Sequence, residues 1–141
     1  MPLRTTVAVA LALSAALSGS PTPTQSATLA PKAQTVKGYV QSYFADEPIM
    51  VAIAGCESHF RQYDQNGNTY RGEVNNQDVG VMQINEHYHL DNAKKLGYDI
   101  YTLDGNAAYA KYLYEKESTA PWNSSSACWN KAKNELASVA K

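Results

Sequence analysis

Apolar side chains recur at helical spacing along most of the chain after residue 35. The first such segment predicts a short helix, and its apolar positions are Val36, Val40, Tyr43 and Phe44. The second segment, up to about Phe60, is apolar on nearly all sides. We therefore expect a central helix there, with Asp46 as its N-cap and Pro48 in its first turn.

The rest of the chain predicts further helices and one small β element. Residues 61–78 contain Asn66-Gly67 and Arg71-Gly72 and show no helical period, which favours a loop or a small β-hairpin. Helical patterns follow at residues 91–96, closed by Gly97, and at residues 104–117. The last helix is predicted from about residue 127, with one stripe formed by Trp129, Ala132, Leu136 and Val139. These patterns together predict an α+β fold that is mainly helical.

The first 35 residues differ from the rest in composition. After Arg4, residues 7–17 are almost wholly Ala, Val and Leu, and small residues follow, which is the layout of a secretory signal peptide. This apolar run is shorter than the about 20 residues that span a bilayer, so we expect no stable membrane insertion. Residues 21–35 are rich in Pro, Thr and Ser, which indicates a flexible linker. We expect a signal peptide at 1–20, a linker at 21–35, a folded domain at 36–141 and a secreted or periplasmic protein.

Composition and charge narrow the classes of partner. The chain has 12 Lys and Arg against 13 Asp and Glu, so it lacks the basic face that nucleic-acid binding needs. Ten tyrosines and two tryptophans suit contacts with sugar faces, although core and surface packing would use them as well. His87, His89 and the remote His59 do not have the spacing of a zinc site. We expect neither a metal nor a cofactor.

The chain has two cysteines, Cys56 and Cys128. In an exported protein a disulfide between them is the expected state, and two free thiols are the alternative. Closing so long a loop would stabilise the fold by roughly 4 kcal/mol in the chain-entropy model.

Glu57 is the first candidate for chemistry, because of its place on the central helix. At about 100° per residue, Glu57 lies about 40° from Ile53 and inside the arc that Ile49, Met50 and Ile53 define. A carboxyl group in an apolar arc is partly desolvated, which raises its pKa and suits it to act as a general acid. The alternative is a Glu at the end of a helix that reaches water or pairs with Arg61. Position alone leaves both open.

Asp78 is the second candidate carboxylate. It precedes the apolar stretch at residues 79–84. It could be a turn or N-cap residue, or it could face Glu57 as the second carboxylate of a glycosidase pair. The residue pattern does not decide between these roles.

Three short motifs carry a family resemblance through their order and spacing. They are Cys56-Glu57-Ser58-His59-Phe60, Gly80-Val81-Met82-Gln83-Ile84, and a block from Asn106 to a Tyr112-Leu113 pair. Together they resemble the lysozyme-like lytic transglycosylases that degrade murein, over about residues 46–130. The resemblance implies a lysozyme-like domain with a small β-hairpin beside the catalytic helix. It also implies that Glu57 is the catalytic acid and base of a monomer that cuts peptidoglycan glycan strands at the β-1,4 bond between N-acetylmuramic acid and N-acetylglucosamine.

The resemblance also implies which residues contact the glycan, and the sequence departs from the family pattern at Asp78 and Tyr109. The implied substrate-binding residues are Ser58, Met82, Gln83, Asn85 and Tyr112, with Met82 lining the groove. Many transglycosylases have Ala at the position of Asp78, whereas the string from Asp78 to Asn85 looks like animal-type lysozymes, in which that Asp is the second catalytic carboxylate. Tyr109 stands where the family has glycine. Because the remaining motifs match the transglycosylases, the expected activity is that of an anhydro-forming transglycosylase. The alternatives are a hydrolase that uses Glu57 and Asp78, and a non-catalytic wall-binding module.

Overall fold

A computed structural model describes residues 33–139, and describes side chains up to residue 135. This part of the chain contains five α-helices, a 3₁₀ helix and a two-stranded antiparallel sheet, joined by loops. In chain order, the elements are α1 (Val36–Tyr43), α2 (Pro48–Ser58), β1 (Asp78–Val79), β2 (Ile84–Asn85), α3 (Glu86–Lys95), α4 (Leu103–Glu117), a 3₁₀ helix (Ala120–Ser125) and α5 (Ser126–Val139). The prediction of a mainly helical α+β fold with one small β element is confirmed. The paired strands begin only at Asp78, the last residue of the segment in which a loop or hairpin was expected, and the rest of that segment takes part only in the isolated bridges Tyr63–Thr69 and Arg71–Val79. The expected signal peptide, most of the linker and the side chains of Leu136 and Val139 lie outside the described range.

The central helix differs from its prediction at both ends. Its N-cap is Glu47, which makes no capping hydrogen bond through its side chain, and Pro48 follows in the first turn. The expectation that Asp46 is the cap was therefore wrong by one residue. The helix ends at Ser58 because His59 takes up a left-handed conformation with φ 53°.

The helix predicted at residues 91–96 begins earlier, at Glu86. Asn85 caps it, since its side chain accepts a hydrogen bond from the Tyr88 backbone N–H. The sequence did not show this start because the first turn is polar or exposed and carries no apolar period. Gly97 follows the helix with φ 84°, in agreement with the predicted glycine cap.

The core is centred on α2, whose residues Met50, Ile53 and Ala54 are fully buried. Helix α5 packs against α2, and a disulfide joins Cys56 of α2 to Cys128 of α5. The predicted bridge is thus present, with its cysteines 72 residues apart in sequence. No helix in residues 33–139 is long and apolar enough to cross a membrane.

Two buried side-chain amides hold the turn that joins β1 to β2. Gln62 accepts a hydrogen bond of 2.8 Å from the Val81 N–H. Asn106 accepts one of 2.9 Å from the Met82 N–H and donates one of 3.0 Å to the Val79 carbonyl. Buried amides that are paired in this way fix the path of the backbone, because leaving either partner unpaired is costly. They therefore set the positions of the residues on either side of the turn.

Candidate active site

Two adjoining cavities form an open cleft at the C-terminal end of α2. Their volumes are about 410 Å³ and about 270 Å³. Five residues line both cavities, namely Glu57, Asn75, Asp78, Gln83 and Ser124. The larger cavity extends to Arg61 and Tyr70, and the smaller one to His89 and Trp122. Two carboxylates therefore lie where the two halves of the cleft meet.

Glu57 is partly buried at the end of α2, as its position on the apolar arc predicts. Burial raises the pKa of its carboxyl group, the Ser125 hydroxyl opposes this shift, and the negative charge of Asp78 adds to it. The alternative pairing with Arg61 is not formed. Arg61 instead stacks on the Tyr70 ring and lies 3.5 Å from a Glu73 carboxylate oxygen. Glu57 therefore lies in an environment in which a carboxylic acid keeps its proton at pH values above the ordinary pKa of Glu.

Ser125 is the polar partner of Glu57. Its Oγ donates a hydrogen bond of 2.5 Å to Glu57 Oε1. Ser125 ends the 3₁₀ helix, which the indole of Trp122 anchors by donating a hydrogen bond of 2.9 Å to the Met82 carbonyl. The disulfide strengthens this arrangement, because Cys56 precedes Glu57 directly and Cys128 follows Ser125 by three positions.

Asp78 lies in β1 opposite Asn85 of β2. Its Oδ1 accepts a hydrogen bond of 2.7 Å from Asn85 Nδ2 and a longer one of 3.4 Å from Asn75 Nδ2. Asp78 thus belongs to a hydrogen-bonded network of turn and strand residues, and it also lines the same cleft as Glu57.

The loop before Asp78 is tied to the first turn of α3. Arg71 donates hydrogen bonds of 2.7 Å to Glu86 Oε1 and 2.8 Å to the Asn76 carbonyl. Tyr101 donates one of 2.8 Å to the other oxygen of Glu86. Charge-assisted bonds of this kind are among the stronger hydrogen bonds in proteins, so this loop forms a defined wall of the cleft.

Two of the predicted substrate-binding residues line the cleft. Gln83 lies at its middle, in a left-handed conformation with φ 50°, and its Nε2 donates a hydrogen bond to the Gly80 carbonyl. Asn85 lines the smaller cavity. Together with Asn75 they supply amide groups that can bond to hydroxyl and acetamido groups.

The three other predicted substrate-binding residues do not line the cleft. Met82 is fully buried in the core, so its side chain does not line the groove. Ser58 is also fully buried, and its hydroxyl lies 2.8 Å from the Val81 carbonyl, where it supports the turn. Tyr112 stacks on Tyr109 and is not among the residues that line either cavity. Met82 and Ser58 therefore support the site from within the fold, whereas Tyr112 is only partly buried and packs on Tyr109.

The sequence did not assign a role in the site to several residues that line the cleft or lie beside it. Ser125 lies 68 residues from Glu57, and its only sequence signal is its closeness to Cys128. His89 lines the smaller cavity, and its Nδ1 lies 3.2 Å from the Tyr109 hydroxyl. Burial lowers the pKa of His89, with Glu117 acting in the opposite direction. Tyr109 thus contacts a histidine of the cleft.

The arrangement suits acid chemistry on a polar, extended ligand. A partly buried carboxylic acid, a nearby carboxylate and several amides share one open cleft. Residues 33–139 contain no group of three or more His, Cys, Asp or Glu side chains that could hold a metal ion. Comparison of the chain with models of protein families, with curated proteins and with solved structures finds no match.

Proposed function

We propose that this chain is a lysozyme-like lytic transglycosylase that cuts peptidoglycan between N-acetylmuramic acid and N-acetylglucosamine. The observation that carries the proposal is the partly buried Glu57, with its raised pKa, at the middle of a cleft lined by Asp78 and amide side chains. The motif resemblance supports the same chemistry. The disulfide and the signal-peptide pattern support a secreted or periplasmic location, where such bonds persist.

The first step is proton donation by Glu57. Its carboxyl proton moves to the glycosidic oxygen as the bond from that oxygen to the muramic C1 breaks and an oxocarbenium-like centre develops. The raised pKa keeps the acid protonated at a pH where an exposed Glu would be ionised.

The second step uses the Glu57 carboxylate as a base. The 6-hydroxyl of the same muramic residue attacks C1 and passes its proton to Glu57. A C1–O6 bond forms, the product is a 1,6-anhydro sugar, and no water is consumed. Asp78 stabilises the positive charge at C1 through space, while Asn85 holds its carboxylate in place.

Hydrolysis is the second candidate, and the presence of Asp78 in the cleft favours it. In that case water attacks C1, or Asp78 first bonds to it, and the product carries a reducing muramic acid.

Mass spectrometry of products released from purified peptidoglycan in ¹⁸O-labelled water distinguishes the two reactions. The proposal predicts anhydro-muramic ends without label. Labelled, reducing muramic ends would show that the enzyme is a hydrolase. Binding to the wall without any release would favour the non-catalytic module.

A further inference from the structure

The Ser125 hydroxyl lies between two acceptors. Its Oγ is 2.5 Å from Glu57 Oε1 and 3.1 Å from the Trp122 carbonyl oxygen. A hydroxyl group has one hydrogen, so Ser125 donates to one acceptor at a time. Whether Ser125 donates to Glu57 or to the Trp122 carbonyl depends on which oxygen of Glu57 carries the carboxyl proton.

Two hydrogen-bond arrangements follow from this geometry. In the first, Ser125 donates to Glu57 Oε1, and the carboxyl proton is on Oε2. In the second, Oε1 carries the proton and donates it to Ser125, which turns its own hydrogen to the Trp122 carbonyl. The second arrangement directs the acidic proton away from a bound ligand and towards the 3₁₀ helix.

Several contacts favour the first arrangement. The Trp122 carbonyl already accepts a hydrogen bond of 3.0 Å from the Trp129 indole N–H. After Glu57 has given up its proton, Ser125 still donates to Oε1, because a carboxylate is a stronger acceptor than a carbonyl. In the described part of the chain, Glu57 Oε2 has no hydrogen-bond partner, and it is not among the buried atoms that lack one. Oε2 is therefore the carboxyl oxygen that is open to the cleft.

We propose that Ser125 is a positioning residue that keeps the transferable proton of Glu57 on Oε2, facing the glycan. The inference rests on the proposed function, because it specifies which oxygen of the catalytic acid acts. The same hydrogen bond serves both steps: Oε2 donates the proton to the leaving oxygen and then accepts one from the attacking hydroxyl. Ser125 donates to Oε1 throughout, so no side chain has to turn between the steps.

The test compares Ser125→Ala and Ser125→Thr with the wild-type chain on purified peptidoglycan. Ser125→Thr keeps the hydroxyl, and Ser126→Ala is the matched control on the neighbouring serine. For Ser125→Ala we expect kcat to fall about tenfold, with KM almost unchanged because Ser125 is not among the residues that line the two cavities. Ser125→Thr should recover most of this loss.

The pH profile separates positioning from a structural role. The hydrogen bond from Ser125 lowers the pKa of Glu57, and the other ionisable group that acts on Glu57 is Asp78. Removing the hydroxyl should therefore move the limb on which activity falls with rising pH to a higher pH. A variant that is merely less stable would lose activity without this displacement.

A ¹³C NMR titration of the Glu57 carboxyl carbon gives a readout that does not require activity. We expect its midpoint to rise in Ser125→Ala and to stay near wild type in Ser126→Ala. An active wild-type enzyme with an unchanged kcat, pH profile and Glu57 midpoint in Ser125→Ala would overturn the role of Ser125 alone. A wild-type chain that releases no glycan products would instead overturn the proposed function.

Discussion

Asn85 donates a hydrogen bond of 2.7 Å to Asp78 across the two-stranded sheet, where the two residues stand directly opposite each other. One oxygen of the Asp78 carboxylate is thus held by a neighbouring amide. The bond fixes the orientation of the carboxylate. This arrangement holds in the cleft a negative charge that acts on Glu57.

Replacing Asp78 by Asn tests this supporting role. Asn keeps the shape and can still accept from Asn85, but it removes the charge that faces Glu57. We expect a partial loss of about tenfold in kcat, smaller than the loss on removing a general acid. Since the charge of Asp78 raises the pKa of Glu57, the activity limb at high pH should move to lower pH, opposite to its displacement in Ser125→Ala.

The exposed Asp46→Asn is the matched control for Asp78→Asn and should behave as wild type. An inactive Asp78→Asn, together with reducing muramic acid as the sole product of the wild type, would instead assign Asp78 a direct part in a lysozyme reaction.

The disulfide should matter for stability and for activity. It closes a loop of 72 residues and joins the helix of Glu57 to the segment after Ser125. Replacing both cysteines by Ala should lower the free energy of unfolding by about 4 kcal/mol in the chain-entropy model. Because the Ser125–Glu57 contact lies between the two cysteines, kcat should fall at temperatures where the variant is still folded.

Thermal unfolding and steady-state kinetics on the double Cys→Ala variant measure both effects. Thiol titration of the wild type, purified from an oxidising compartment, is the control and should find no free thiol. An unchanged melting temperature would show that the bridge contributes little to this fold.

The raised pKa of Glu57 also predicts how stability depends on pH. Between the usual Glu pKa and the higher pKa in the folded state, the unfolded chain has released this proton while the folded chain still binds it. The contribution of Glu57 to stability is therefore fully present below the usual pKa and is lost as pH rises through the folded pKa.

Glu57→Gln removes this titration. The melting temperature of the variant minus that of the wild type should therefore increase as the pH is raised from about 4 to about 8. Calorimetry at both pH values checks the sign. A difference in melting temperature that stays constant across this range would contradict a raised pKa.

Local patterns predicted the helices well where an apolar period was present. The helix expected at residues 104–117 is found as Leu103–Glu117. The start of α3 was missed because Asn85 both pairs with Asp78 in the sheet and caps the helix, a double role that depends on tertiary contacts. The predicted cap at Asp46 was wrong by one residue: Glu47 takes the N-cap position without a side-chain capping bond, and its carboxylate pairs with Lys111 of α4.

The motifs contain residues that line the candidate cleft, but they do not predict the direction of each side chain. Met82 and Gln83 are neighbours in the same motif, yet Met82 points into the core and Gln83 into the cleft. The buried amides of Gln62 and Asn106 fix the turn that separates them. Neither these long-range bonds nor the contact of Ser125 with Glu57 leaves a periodic signal in the sequence.

The most direct test of the proposed mechanism is the rate of product release from purified peptidoglycan by wild type and by Glu57→Gln. Glu115→Gln makes the same substitution at an exposed site outside the cleft and serves as the control. We predict a fall of about 10²–10⁴-fold for Glu57→Gln, with an intact fold and retained wall binding, and wild-type rates for Glu115→Gln. A folded Glu57→Gln that releases products at nearly the wild-type rate would contradict the assignment of Glu57 as the catalytic acid.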